Sequence, residues 1–372
     1  MSHHVYEVQM NKLNDICYID GKAFLLSDIE AMGFDNFGLN AHITPYVSVF
    51  KYYPNTKVYV KSEKKYHNYS FEALMNNTVF LQDARNFDDC FDCAVDLDWD
   101  KFLERRVFAY CRYFDVKLSS DTKIQDRIFA LAKKLYEYGM VEGAIQAIHA
   151  TDLLQKKSAE VFVRYIYIVL VLEHKQWHVA VLGAIKNEYD EFMSSLSKFR
   201  ISCFSTSPYL NRMWSSAYAN NNQGFCLEYA VDLSTQQGND LYMNMYPVIY
   251  SQTRNDLQQL SEHCDTSLTK DDLWQLYFNG LLRKSLHWID QQEWRLIMVE
   301  GLMPQNPLPF FKIKKVYLGN KMPQKERIKI INYCRKHSIE YIGLIRDKNS
   351  FNLIECSDDC YMCSKGNNAK SK

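Results

Sequence analysis

Strand-like segments rich in β-branched and aromatic residues stand on both sides of a long helical stretch, and this interruption constrains the fold more than any single motif. Val47 to Tyr53 (Val-Ser-Val-Phe-Lys-Tyr-Tyr) reads as a strand stopped by Pro54-Asn55, and Lys57 to Lys61 as a second one. Phe71 to Met75 reads as a short helix, opened by Ser70 and ended by Asn76-Asn77, before Thr78 to Leu81 resumes an extended pattern. The period then changes. Ser119-Ser120-Asp121 offers an N-cap, and Ile124, Ile128, Leu131 and Leu135 recur at the spacing of one helical face before Gly139. Helical periods continue through 140–156, 158–174 and 176–197, and one imperfect similarity after Gly139 is no repeat. Strand signals return at Arg200–Ser205, Gly224–Val231, Tyr246–Tyr250, Trp294–Val299, Ile313–Leu318 and Tyr341–Arg346, with helices at Leu257–Leu286 and Gln324–His337. The expected class is α+β: a split, mixed or antiparallel β-sheet core carrying an inserted helical bundle. Its expected parts are an N-terminal arm or layer (1–46), a first core segment (47–116), the helical insert (117–197), a second core segment (198–355) and a cysteine-containing tail (356–372).

Charge narrows the partners. The 44 basic residues cancel the 44 acidic ones, so no global field draws the chain to nucleic acid or to an anionic membrane, although a local basic groove stays open. The longest apolar run, Tyr165 to Leu172, is too short to cross a bilayer and is flanked by charges. Met1-Ser2-His3-His4 lacks the start of a secretory signal, so a cytoplasmic protein with reduced thiols is expected. No Walker A or G-x-G-x-x-G sequence occurs, which removes the kinase, ATPase and Rossmann dehydrogenase readings, and no H-E-x-x-H spacing anchors metal-dependent hydrolysis.

Three groups of residues could carry chemistry. Cys203-Phe204-Ser205-Thr206-Ser207 places small hydroxyl residues at a strand end, followed by Met213-Trp214, Tyr218 and Gly224-Phe225-Cys226. Lys284, Trp288, Glu293 and Arg295 put a carboxylate at the mouth of an aromatic-flanked strand, where desolvation by Trp288 and Trp294 can tune it. Cys90-x-x-Cys93 and Cys360-x-x-Cys363 together offer four thiolates for a tetrahedral zinc, with Cys356 close by. The acidic run Asp88, Asp89, Asp92, Asp96, Asp98 and Asp100 is either a solvated turn or a divalent-ion site. Each group has a plainer reading. The hydroxyl triplet can simply turn into a loop, Glu293 and Arg295 can be an internal ion-pair device with Lys284, and Trp214, Tyr218 and Trp288 can be core.

These residues carry a resemblance over roughly 47–110 and 199–355. Val49-Phe50-Lys51-Tyr52-Tyr53, the turn Asn86 to Asp92, Cys203-Phe204-Ser205, Met213-Trp214, Tyr218, Gly224, Cys226, the block from Trp288 to Arg295 and Val316-Tyr317-Leu318-Gly319 follow the order of a bacterial family known as domain of unknown function 2971. In the turn, Cys90 stands where that family usually has proline. The motif layout is also similar to ADP-ribosyltransferases, which grip NAD between two small sheets. Those enzymes order a basic or His residue on the first strand, a hydroxyl motif on a middle strand and a glutamate near a late strand. The resemblance implies Glu293 as the catalytic carboxylate, and Lys51, Tyr52, Ser205, Thr206, Ser207, Trp214, Tyr218 and Arg295 as residues that hold NAD. Aromatic rings would stack on nicotinamide, and Lys51 or Arg295 would meet the pyrophosphate. A lysine stands at the first-strand position where that superfamily has His or Arg. The acceptor would be an unknown protein or nucleic acid, in a setting of bacterial conflict or phage defence. Two other classes stay open: a non-catalytic module that recognises a nucleotide or protein, with the helical insert docking a protein partner, and a metal-dependent nuclease suggested by the acidic turn.

Overall fold

In a computed structural model the described residues are 15–19, 22–25, 48–87, 89, 91–93, 98–137, 176–252 and 280–356. Most of the expected N-terminal arm, the helices expected at 140–156 and 158–174, most of the one at Leu257–Leu286, and Cys90, Cys360 and Cys363 lie outside them. The chain folds as α+β. It divides into two compact units, one formed by Met1–Asp92, Phe199–Arg254 and Leu282–Lys372, the other by Cys93–Lys198 and Asn255–Leu281.

The first unit holds every described strand. They are β1 (Ile16–Ile19), β2 (Lys22–Leu25), β3 (Ser48–Tyr53), β4 (Val58–Val60), β5 (Lys65–His67), β6 (Thr78–Val79), β7 (Gln82–Asp83), β8 (Phe199–Ser205) and β9 (Phe225–Ala230). Then follow β10 (Met245–Pro247), β11 (Ile249–Ser251), β12 (Arg283–Ser285), β13 (Glu293–Val299), β14 (Leu308–Pro309), β15 (Ile313–Leu318), β16 (Glu340–Arg346) and β17 (Leu353–Glu355). The largest sheet runs β10-β13-β8-β3-β9-β15-β16-β17, with β7 added beside β8, and a four-stranded sheet runs β12-β11-β1-β2. Both are mixed: β15–β16 and β11–β12 are parallel pairs among antiparallel ones.

Helices complete the unit: α1 (Tyr69–Asn76) after β5, α5 (Asn211–Ser215) after β8, α6 (Gln236–Tyr242) after β9 and α7 (Gln324–Lys336) after β15. Helix α1 starts because the Asn68 side chain accepts from Phe71 N at 2.9 Å, and it ends where Asn77 turns left-handed. Alternation along the strands sorts their side chains to two faces. On one face Val49, Phe204, Leu227, Tyr229, Leu296 and Val316 pack with Phe71 of α1 and Ile330 of α7. On the other, Phe50, Tyr52, Cys226 and Tyr317 pack with Met213 and Trp214 of α5.

The second unit contains α2 (Trp99–Tyr113), α3 (Ile124–Glu137) and α4 (Trp177–Leu196). It begins at Cys93 rather than at 117, because the buried face of α2, Val107, Tyr110, Cys111 and Phe114, belongs to the same core as Ile128, Leu131 and Leu135 of α3 and Val181 and Ile185 of α4. The Ser119-Ser120-Asp121 cap is also displaced. Ser119 to Thr122 form a turn whose carbonyls are taken by the Arg127 guanidinium, donating to Ser119 O at 2.7 Å and Thr122 O at 2.9 Å, and the helix starts after it.

Two close approaches fix the ends of β9 and β15. A Cβ on Gly224 would sit 2.0 Å from Tyr53 O, and one on Gly319 would sit 2.2 Å from Asn222 O, so backbone occupies the space a side chain needs. Gly301 has nothing within 4 Å. Gly224→Ala is therefore expected to destabilise the protein by about 2–3 kcal/mol, whereas Gly301→Ala stays within about 0.5 kcal/mol of wild type, measured by denaturant unfolding.

Candidate functional site

The site begins with a mismatch in strand pairing. Strand β8 pairs with β13 along seven positions, and β3 pairs with β9 along six. Between β3 and β8 the ladder has a single pair, Phe50 with Ser205. Further along the same edge of β8, β7 pairs with Ile201 and Arg200. The edge from Ser202 to Phe204 is thus left open, and backbone acceptors there need other partners. Lys51 supplies one for Cys203 O, donating from Nζ at 2.8 Å, and also donates to the side-chain hydroxyl of Ser202 at 3.0 Å.

A cavity of about 420 Å³ occupies this opening. Its walls come from β3 and Pro54 (Phe50 to Pro54), β8 (Ile201 to Ser205), Phe80, Gln82, Asn86, Phe87, Asp89, Asp92, Met213, Tyr218, Lys284, Trp288, Gln291 and Glu293. Phe50, Ser205 and Glu293 form one row across three neighbouring strands, since Ser205 pairs with Phe50 on one side and with Glu293 on the other. The hydroxyl position and the carboxylate, far apart in sequence, are therefore adjacent in register.

Glu293 is buried within a ring of alternating charge. Its Oε2 accepts from Lys284 Nζ at 2.7 Å and its Oε1 from Arg295 Nε at 2.7 Å, while Asp92 closes the ring through Lys284 at 2.9 Å and Arg295 at 2.6 Å. Glu293 N donates to Tyr250 Oη at 2.8 Å, which fixes the start of β13. Burial opposes the ionised carboxylate, but Arg295 and Lys284 outweigh it and hold the Glu293 pKa well below the usual range. Burial likewise opposes a charged Lys284, and the attraction of Glu293 reverses this and raises its pKa. Lys51 lies outside the ring. Its enclosure lowers its pKa, an effect only partly offset by Cys203 and by the Glu293 carboxylate.

The structure brings Lys51, Tyr52, Ser205, Tyr218 and Glu293 to the cavity, and does not bring the other candidates there. Thr206 instead ties the loop to the residue before Glu293, with Oγ1 donating to Gln292 Oε1 at 2.6 Å and N to Gln292 O at 3.2 Å. Ser207 O accepts from Tyr52 Oη at 2.8 Å. Trp214 is buried edge-on to Tyr52, its indole N–H donating to Pro208 O at 2.7 Å, so it belongs to the core. Arg295 lies fully buried behind Glu293, with Phe87 beneath its guanidinium at 5.5 Å, rather than reaching toward a pyrophosphate. Asp92 had no special signal within its acidic run, yet it closes the charged ring.

Of the proposed zinc ligands only Cys93 is described; its Sγ lies 3.6 Å from Leu281 O, and no group of three potential metal ligands occurs among the described residues. Cys17, Cys93, Cys111, Cys203, Cys226 and Cys334 form no disulfide, whereas Cys356 is disulfide-bonded and so departs from the expectation of reduced cysteines. No helix among the described residues is long and apolar enough to cross a membrane.

The depressed Glu293 pKa has a defined sign. An unfolded glutamate titrates near pH 4.3, so the stabilisation from the ionised native carboxylate is complete above that value and is lost as pH falls through it toward the native pKa. Stability is expected to drop below about pH 5. Glu293→Gln, which leaves two buried cations facing Asp92 alone, is expected to lose about 3–5 kcal/mol at pH 7 and to show a shallower acid limb in denaturant unfolding between pH 3 and 7.

Residues 213–296 match the model of a family described as Protein of unknown function (DUF2971), a segment that runs from α5 to β13 and includes Tyr218, Lys284, Trp288, Glu293 and Arg295. No curated protein and no solved structure matches the chain.

Proposed function

We propose that the cavity binds NAD and that the protein transfers ADP-ribose from it to an acceptor, a protein or a nucleic acid. The observation that carries this reading is the convergence of Lys51, Ser205 and Glu293, from three separated segments, at the opening between β3 and β8. It is the order of basic, hydroxyl and acidic positions that the motif layout implied.

The lining residues fit the group. The volume lies within the range of small-ligand sites, roughly 300–1,000 Å³, and Tyr53, Phe80, Phe87, Tyr218 and Trp288 supply flat apolar surface. The charged lining consists of Lys51 and Lys284 against Asp89, Asp92 and Glu293, an excess of carboxylate that suits the cationic nicotinamide end. When bound, NAD supplies the bond that breaks: the nicotinamide–ribose C–N electrons leave with nicotinamide, and the acceptor bonds the ribose carbon and loses a proton. Glu293, held ionised by Lys284 and Arg295, is a fixed anion for positive charge developing on ribose. Each carboxylate oxygen has two lone-pair sites, so the bonds to Lys284 and Arg295 leave acceptor capacity. Ser205 lines the same cavity, and Lys51 would meet the diphosphate.

One observation favours a second reading: both Glu293 oxygens already hold cations, as in a structural ion cluster. On that reading the cavity recognises a nucleotide or protein without chemistry. Titration calorimetry with NAD, with nicotinamide release followed in parallel, separates the two. Wild type is expected to bind saturably and release nicotinamide, and Glu293→Gln, checked for folding, to lose release by at least about 100-fold. Ser205→Ala and Tyr218→Ala, which leave the charged ring intact, are expected to weaken NAD binding without lowering the unfolding midpoint. Binding without release favours the recognition reading, and no binding at millimolar NAD rejects NAD as ligand.

A further inference from the structure

The ribbon formed by β4 and β5 begins four residues after Pro54, which lines the cavity, and four residues of chain reach at most about 14 Å. Its register pairs Val58 with His67, Tyr59 with Tyr66 and Val60 with Lys65. Tyr59 and Tyr66 therefore share one face, their ring centroids 5.1 Å apart, and Lys57 and Lys61 stand two residues to either side of Tyr59 in the chain. Tyr59 is 48% exposed, Tyr66 68% and Tyr69 54%, so none of these rings serves the core. Lys57, Lys61, Lys64 and Lys65 are all exposed as well.

The charge is local. Within the ribbon these four lysines stand against one acid, Glu63, with Glu326 beside Lys57 and Glu72 bonded to His67, in a chain of zero formal net charge. Glu63 is held by Lys65 at 3.5 Å and by His67 at 2.8 Å, and Lys57 lies 3.4 Å from Glu326, while Lys61 and Lys64 make no ion pair among the described residues. A short ribbon that exposes both lysines and tyrosine rings combines the two elements by which proteins hold single-stranded nucleic acid: cations along the phosphates and aromatic faces for unstacked bases. An acidic peptide would use the lysines and leave the rings idle. A duplex would hide its base faces from them. A lipid surface would find only two three-residue strands, with little apolar area to insert.

We infer that the β4–β5 ribbon is a binding surface for single-stranded nucleic acid, placed so that a bound strand passes the cavity mouth. The binding does not depend on the NAD reading, and its test contains no NAD. Fluorescence anisotropy of the full chain with labelled 20-nucleotide single-stranded DNA and RNA, from 50 to 200 mM salt, should show saturable binding that weakens with salt at a log–log slope of up to about −3, as for four phosphates. Tyr59→Ala and Tyr66→Ala should each weaken it at least about fivefold, and Lys61→Ala with Lys64→Ala should make the slope shallower by about 1.4. All four substitutions are at exposed positions and should leave the unfolding midpoint unchanged. Absence of saturable binding at 50 mM salt, binding indifferent to these substitutions, or tighter binding to duplex, to anionic vesicles or to a poly-glutamate peptide than to the single strand would each overturn the proposal.

Discussion

Four charges drawn from three separated segments, Asp92, Lys284, Glu293 and Arg295, are buried together, and the architecture around the cavity depends on that ring closing. Its members alternate in sign, so each is compensated on two sides; an open chain of the same residues would leave a charge at each end with one partner in a medium that solvates it poorly. The ring ties the turn after β7, the edge strand β12 and the start of β13 to one point. Tyr250 and Thr206 reinforce it, one through Glu293 N and the other through Gln292. A carboxylate that would wander at a strand end is thereby given a fixed place.

The cavity itself follows from competition for strand edges. Strand β8 commits one edge wholly to β13, while its other edge is shared between β3 at Ser205 and β7 at Ile201 and Arg200. Strand β3 is in turn committed to β9. The sheet stays continuous through one pair and opens beside it, and Lys51 satisfies Cys203 O, a backbone acceptor on the open edge. The same ammonium that completes the β8 edge lines the cavity, so this structural repair places a cation at the site.

Much of this is legible in the chain because period and punctuation are local. The strands at Ile313–Leu318 and Glu293–Val299 and the face of Ile128, Leu131 and Leu135 follow from spacing alone. Glu293 and Arg295, two apart on a strand, must share a face, but alternation does not say whether that face meets ligand or other charges. The answer lies in Asp92, 203 residues before Arg295, which looks like any member of an acidic turn until the fold delivers it. Helix α2 escaped for a related reason: the acidic run before it masks Asp98 as its cap, although the Asp98 side chain accepts from Lys101 N at 3.1 Å. Trp214 shows the opposite limit. A tryptophan beside a hydroxyl motif resembles a stacking platform, and only the Pro208 carbonyl bound to its indole shows that it is core.

The ring and the cation of the opening divide the electrostatic work. Because Asp92, Lys284, Glu293 and Arg295 sum to zero, the ring adds little long-range field, and its effect is to fix the direction of one carboxylate. Lys51 stands outside the ring, and its enclosure disfavours the protonated form. The cavity lining thus sets Lys51 and Lys284 against Asp89, Asp92 and Glu293, with Glu293 fixed by the ring and Lys51 outside it. On the NAD reading, such a site would select a ligand by the separation of positive and negative charge within it rather than by its net charge.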